Sequence, residues 1–200
     1  MSATAAMQLR GVQVGQARKV LINGRAVLTA IRKTAVQGAV TVKPLGLQGD
    51  EQADPSVHGG LEKAIYAYPG EHYAFWRAQR AAAGVADIDA ELPFGAIGEN
   101  LTLCGLLEAE VWVGDLLEFA HCTLRVEQPR EPCFKFNAAM GFNTAVKAMA
   151  QSGFCGFYLS LHGADDVSSL QAGESFVLHP GPRRVGIPER FNAKMFKHLR

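Results

Sequence analysis

Two hundred residues suffice for one domain with a substantial core, and nothing in the length calls for a second. Apolar residues make up 48% and charged residues 20%, an ordinary globular balance. The formal net charge of +1 offers no strong field to nucleic acid or anionic lipid, and no stretch approaches the roughly 18 apolar residues of a membrane span. The opening MSATAAMQLR has no charged region followed by an apolar run, so a secretory signal is not expected and a cytoplasmic chain is. Cys104, Cys122, Cys133 and Cys155 are far apart, with no CxxC pair, which argues for free thiols rather than a zinc ribbon or a disulfide framework.

In chain order, residues 1–10 are expected to be flexible. Lys19 to Ile22 and Arg25 to Ile31 flank Asn23-Gly24, the pair that supplies two positive-φ positions to a type I′ turn, and so form a hairpin. Ala39 to Val42 is a short strand, stopped by Pro44 and the glycines at 46 and 49. The Ala-rich stretch from Glu71 to Ala83 follows Pro69-Gly70 and ends at Gly84, as a helix would. From Leu116 to Glu127 a period-two pattern slips by one residue, Leu117 and Phe119 in one phase and Cys122, Leu124 and Val126 in the other. Such a slip marks a turn, placed at Ala120-His121.

Thr144 to Gln151 predicts a helix with Asn143 as its N-cap and Gly153 beyond its end. Gly156 to Leu161 and Ser175 to Leu178 predict two more strands. Residues 188–200 follow as a short helical tail, with Phe191, Met195 and Leu199 one turn apart. Many short strands, frequent Gly and Pro and few helices give a mostly β (α+β) chain, with a closed barrel-like core over residues 11–187.

Three loops carry chemistry. In Gln128-Pro129-Arg130-Glu131-Pro132-Cys133-Phe134-Lys135 two prolines stiffen the path, and Arg130 and Lys135 both favour a Cys133 thiolate, a soft metal ligand or a nucleophile. For this segment alone, a buried inert cysteine in a turn is the commoner outcome. Gly46-Leu47-Gln48-Gly49-Asp50 leads to His58-Gly59-Gly60, where backbone amides can approach an anion and His58 can titrate. Gly98-Glu99-Asn100-Leu101 offers an amide that both donates and accepts, which suits a pterin or purine edge or simply its own turn. A zinc set of Cys133, His58 and Asp50 lacks any recognised ligand spacing. Tyr73 and Trp76 share a helix face and read as core rather than as a stacking platform.

Taken together and in order, these loops resemble the MOSC family, named for the C-terminal domain of molybdenum-cofactor sulfurase, and its YiiM-like branch in particular. The matching pieces are Thr29-Ala30-Ile31-Arg32-Lys33, the two glycine loops, Gly98 to Leu101, Gly114-Asp115 and Gln128 to Cys133. The resemblance implies a closed, mostly β barrel with molybdenum cofactor (molybdopterin) in a cleft and Cys133 as thiolate ligand to the metal. It implies a reductase that turns N-hydroxylated bases and amidoximes into amines and amidines, fed by a separate electron-donating reductase. Arg32, Lys33, Arg130 and Lys135 are then candidates for the cofactor phosphate, and His58 and Asn100 for the pterin or substrate edge. The alternative is a non-catalytic carrier of the cofactor, or of sulfur on Cys133. No pyridoxal phosphate chemistry, nucleic acid or membrane is expected. Longer YiiM-like proteins carry a small helical domain after the barrel, where this sequence has only the tail after Pro188.

Overall fold

The computed structural model describes residues 6–54, 59–85, 92–163 and 168–196. Its main sheet runs in the order β13 (Val177–His179), β9 (Leu116–Glu118), β10 (Thr123–Pro129), β11 (Phe157–His162), β7 (Ile65–Pro69), β8 (Leu101–Cys104), β1 (Gln8–Val14) and β4 (Thr34–Ala35). Within it only β7 and β8 pair in parallel. The chain between them passes through α1 (Tyr73–Ala82), the kind of crossover that parallel strands require. A three-stranded patch joins β12 (Ser169–Leu170), β5 (Val40–Lys43) and β6 (Gly46–Leu47), and a separate ribbon joins β2 (Arg18–Ile22) to β3 (Arg25–Thr29).

The sheet curls. Just ahead of β13, the Gly173 N–H donates to Leu9 O, the Leu9 N–H to Glu174 O and the Phe176 N–H to Met7 O, so this loop meets β1. Among the described residues no ladder joins β13 to β4, the outer strands of the sheet order. The molecule is thus a mixed α/β fold around a curled, open half-barrel, and the expected closure extends only as far as this loop contact. Leu9, Ile65, Leu101, Leu103, Leu117, Leu124, Phe157 and Leu159 are fully buried, as are Trp76, Phe136 and Phe191 from the helices. Fully burying each such side chain contributes roughly 1.5–3 kcal/mol.

The hairpin of β2 and β3 turns at Asn23 (φ 51°) and Gly24 (φ 75°), as the dipeptide predicts. The phase slip is the β9–β10 turn, where the Phe119 N–H donates to Cys122 O. Tyr73 and Trp76 are core residues of α1.

Other expectations are corrected. β1 begins at Gln8, inside the segment expected to be flexible, because the fully buried Leu9 is bonded on both backbone sides. The N-cap of α3 (Ala145–Ser152) is Thr144, not Asn143, and makes no side-chain cap bond. Asn137, nine residues upstream, accepts from the Val146 N–H at 2.8 Å instead. Beyond Cys133, where a loop was expected, α2 (Phe134–Met140) forms and buries Phe136 and Met140, one turn apart. The tail helix α4 (Ile187–Met195) packs against β10 and buries Ile187 and Phe191; Leu199 lies outside the described residues.

Candidate functional site

One cleft gathers Cys133, Arg130, Lys135, Lys33, Asn100 and Asp50, along with Tyr66 and Tyr158. It lies where β3 leaves the ribbon, where the loop after β6 passes, and where β10 hands over to α2. Five of the seven residues singled out from sequence therefore share one cleft. Arg32 is exposed and is not among its lining side chains. His58 lies outside the described residues.

Cys133 is placed by the two prolines. Pro129 closes β10, and after Pro132 the chain is extended at Cys133 (φ −125°, ψ 175°), which caps α2 with its thiol partly exposed. Three residues back, Arg130 is only 6% exposed. Its Nη1 donates to Ile97 O at 2.6 Å and to the Tyr66 hydroxyl at 3.4 Å, and its guanidinium lies 4.8 Å over the Tyr66 ring and 4.9 Å over that of Phe136. The 95–98 turn that presents Ile97 O needs its glycines: Gly98 has φ 96°, and a Cβ there would sit 3.2 Å from Ile31 O.

Arg130 makes no ion pair with any described residue. Buried guanidinium groups are rarely left without a counter-charge. Burial works to lower the Arg130 pKa, but Tyr66, Tyr158 and Cys133 together outweigh it and hold the group above the ordinary arginine value. The cleft is thus built around a fixed positive charge, with Cys133 among the groups that interact with it.

Across the cleft, Lys33 Nζ meets Asp50 Oδ1 at 2.5 Å, with side chains 8% and 7% exposed. Asp50 also accepts from the Gly15 N–H at 2.7 Å and from Asn100 Nδ2 at 2.9 Å. Asn100 spends its other donor on Gln13 O and accepts from the Tyr66 N–H at 3.1 Å, so its amide ties β1, β7 and the Asp50 loop together. Both of its N–H groups are engaged within the protein. Burial lowers the Lys33 pKa, and Asp50 only partly restores it.

Behind this pair, Glu99 is fully buried. Its Oε1 accepts from the Tyr73 hydroxyl, from the Gly95 N–H at 2.8 Å and from Thr102 Oγ1 at 2.9 Å, while Oε2 has no hydrogen-bond partner among the described residues. Burial raises its pKa in spite of those bonds. The folded state therefore holds the proton to a higher pH than the unfolded chain does. Stability from this group is fully present below the unfolded value near 4.5 and is lost as pH rises through the folded value. Glu99→Gln keeps an acceptor and cannot ionise. Its stability relative to the parent should increase between pH 4.5 and 7, by on the order of 1 kcal/mol, in urea unfolding at the two pH values. A constant difference across that range would contradict the raised pKa.

Sequence reasoning placed Asp50 in a glycine loop and gave it a role only as a zinc candidate, and it did not see Tyr66 or Tyr158. Tyr66 sits in a strand buried on both faces, which shows no alternation to read. Among the described residues, no three His, Cys, Asp or Glu side chains gather as a metal cage.

Comparison with known proteins agrees with these landmarks. The MOSC domain model matches residues 54–177. Protein YiiM of Escherichia coli is 37% identical over 142 residues, which cover 70% of this chain and 61% of that protein. A Gibberella moniliformis protein named Reductase is 33% identical over 148 residues, 73% of this chain but 25% of its own length. The crystal structure of YiiM from Geobacillus stearothermophilus superposes with a TM-score of 0.71 at 28% identity, covering 97% of this chain and 86% of that one. The chain thus spans less than two thirds of the length of the two curated relatives named here. The cysteine loop and the Gly98–Leu101 loop lie inside the residues that the family model matches, and the chain belongs to the MOSC domain family, in its YiiM-like branch.

Proposed function

We propose that this chain binds molybdenum cofactor through the Cys133 thiolate and reduces N-hydroxylated compounds to amines. The observation that carries the reading is Arg130, a buried cation with no carboxylate partner among the described residues, fixed in the cleft wall that also holds a partly exposed thiol. An anionic thiolate, and an anionic ligand beside it, supply the missing counter-charge. The donor set suits the group: one soft protein sulfur, cations along the walls, and aromatic rings from Tyr66 and Tyr158.

When bound, the cofactor supplies a metal centre that passes two electrons and accepts an oxygen atom. The overall change is R–NH–OH plus two electrons and two protons giving R–NH2 and water, with the N–O bond broken. Arg130 supplies a fixed positive charge that interacts with Cys133. Lys135, whose Nζ donates to Leu28 O at 3.0 Å, and the exposed Arg32 are the cations assigned to the cofactor phosphate. Lys33 is assigned differently from the other cations. Its ammonium is buried and already paired with Asp50, so it is poorly suited to a phosphate and well suited to giving a proton to the departing hydroxyl. Asn100 acts by positioning Asp50.

The test is purification from a cofactor-competent host, with molybdenum measured per chain and turnover of a hydroxylaminopurine or an amidoxime measured with reduced methyl viologen. Stoichiometric metal and amine formation, with two viologen radicals consumed per product, are expected. Bound metal without turnover, together with release of cofactor to an acceptor apoenzyme, would favour the carrier instead. No bound metal overturns both.

A further inference from the structure

The chain has four tyrosines, and their hydroxyls are spent differently. Tyr66 donates to Cys155 O at 2.8 Å, Tyr68 to Phe154 O at 3.2 Å and Tyr73 to Glu99. The Tyr158 hydroxyl makes no hydrogen bond with a described residue. Tyrosine hydroxyls away from the surface ordinarily find a partner. Tyr158 is half-buried and lines the cleft, and its oxygen is not sealed from solvent. The tyrosine O–H that the fold leaves uncommitted thus belongs to a wall of the cleft.

Neighbouring strands hold this side chain in place. β11 pairs Tyr158 with Tyr66 of β7, so the two share a face of the sheet, with ring centroids 5.4 Å apart. On the other side Tyr158 pairs with Gln128 of β10, where the register slips between Val126 and Gln128. Bulges of this kind re-aim side chains beside active sites. Tyr66 is itself fixed by Arg130, whose guanidinium lies 4.8 Å over its ring. Arg130 and Cys133 both act on the ionisation of Tyr158, which puts its hydroxyl near the two of them. A phenol keeps its proton at neutral pH, so the group is a neutral donor.

We propose that the Tyr158 hydroxyl donates a hydrogen bond to the oxygen of the substrate's N-hydroxyl group, so that the cleft holds the N-hydroxylated compound in preference to the amine without that oxygen. The class of ligand rests on the proposed reduction. A neutral donor suits a neutral hydroxyl oxygen, whereas a phosphate calls for the charged groups already assigned to it. A site built to bond a hydroxyl discriminates against the analogue that lacks one, because its own donor is then left unpaired. The same bond favours release of product: once the N–O bond is broken, the amine has no oxygen for Tyr158 to hold.

The test uses the full chain purified from a cofactor-competent host, its metal content recorded, with a hydroxylaminopurine and the matching aminopurine as probes. Affinities are measured by calorimetry without an electron donor, in the parent and in Tyr158→Phe, which keeps the ring and removes only the hydroxyl. The parent should bind the hydroxylaminopurine the more tightly. Tyr158→Phe should weaken that binding by about fivefold or more, the scale of one neutral hydrogen bond, and shift binding of the aminopurine by less than about twofold. Molybdenum content should be unchanged, and kcat/KM with reduced methyl viologen should fall in step with the affinity. Absent or equal binding of the two purines by the parent overturns the inference. So does an equal change for both in the variant, which would mark a packing role, or no change for either, which would leave solvent as the hydroxyl's partner. Loss of molybdenum in the variant overturns it too, by assigning the hydroxyl to the cofactor. If the variant loses the discrimination while the parent shows no turnover, the proposed reduction fails and the role of Tyr158 stands.

Discussion

Cys133→Ser is expected to purify folded and nearly metal-free. Serine is close in size but is a hard, weakly acidic oxygen donor, whereas the proposed centre takes a soft thiolate. Cofactor retention should fall by about tenfold or more, the scale on which even outer-sphere changes act at metal sites. Stability of the cofactor-free protein should change by less than about 0.5 kcal/mol, because the thiol is partly exposed and no tightly packed volume is lost. Metal analysis and thermal unfolding of the same preparation separate the two effects. Molybdenum retained in full by the serine variant would remove Cys133 from the metal. A collapse in stability would instead make it a packing residue.

Asp50→Ala should be the most damaging single change to the cleft wall. It removes the acceptor of three hydrogen bonds, from Gly15, Lys33 and Asn100, and leaves the Lys33 ammonium buried without its carboxylate. Breaking a buried pair in this way costs about 3–5 kcal/mol. Lys33→Met should cost less, roughly 1–3 kcal/mol, because Asp50 then keeps two backbone and side-chain donors. The two variants also differ in pH response. Burial already lowers the Lys33 pKa, and Asp50 is the largest influence raising it, so its removal lowers the value further. Over the interval between that folded value and 10.5 the unfolded state binds more protons, so stability rises with pH. The deficit of Asp50→Ala should therefore shrink between pH 7 and pH 10 in urea unfolding, and that of Lys33→Met should not. A deficit that stays constant would mean that Lys33 is not forced to carry a buried charge. In the loaded enzyme, Lys33→Arg keeps the charge but gives up protons far less readily, so turnover should fall while metal content holds.

These two outcomes draw on different levels of the molecule. Local chemistry was legible in the residues themselves. Asn23-Gly24 names its own turn because both positions demand positive φ, and the slipped alternation around residue 120 names a hairpin because side chains in a strand have a period of two. The two prolines about Arg130 and Glu131 foretold a stiff cysteine loop, and the ordered glycine motifs foretold the family. Each of these signals depends on neighbours within a few residues.

What the cleft does with those residues was not legible, because the deciding contacts join distant parts of the chain. Lys33 and Asp50 are 17 residues apart, Asn100 reaches 87 residues back to Gln13 O, and Arg130 is anchored on Ile97 O, 33 residues upstream. β7, buried on both faces, has no pattern to betray it, and α2 buries only two residues, one turn apart. By itself, then, the sequence determined the turns, the strand phases, the thiol and the family. Only the tertiary structure decided which cation has no carboxylate partner among the described residues and which is neutralised, since that depends on which oxygens the curled sheet brings within about 3 Å of each nitrogen.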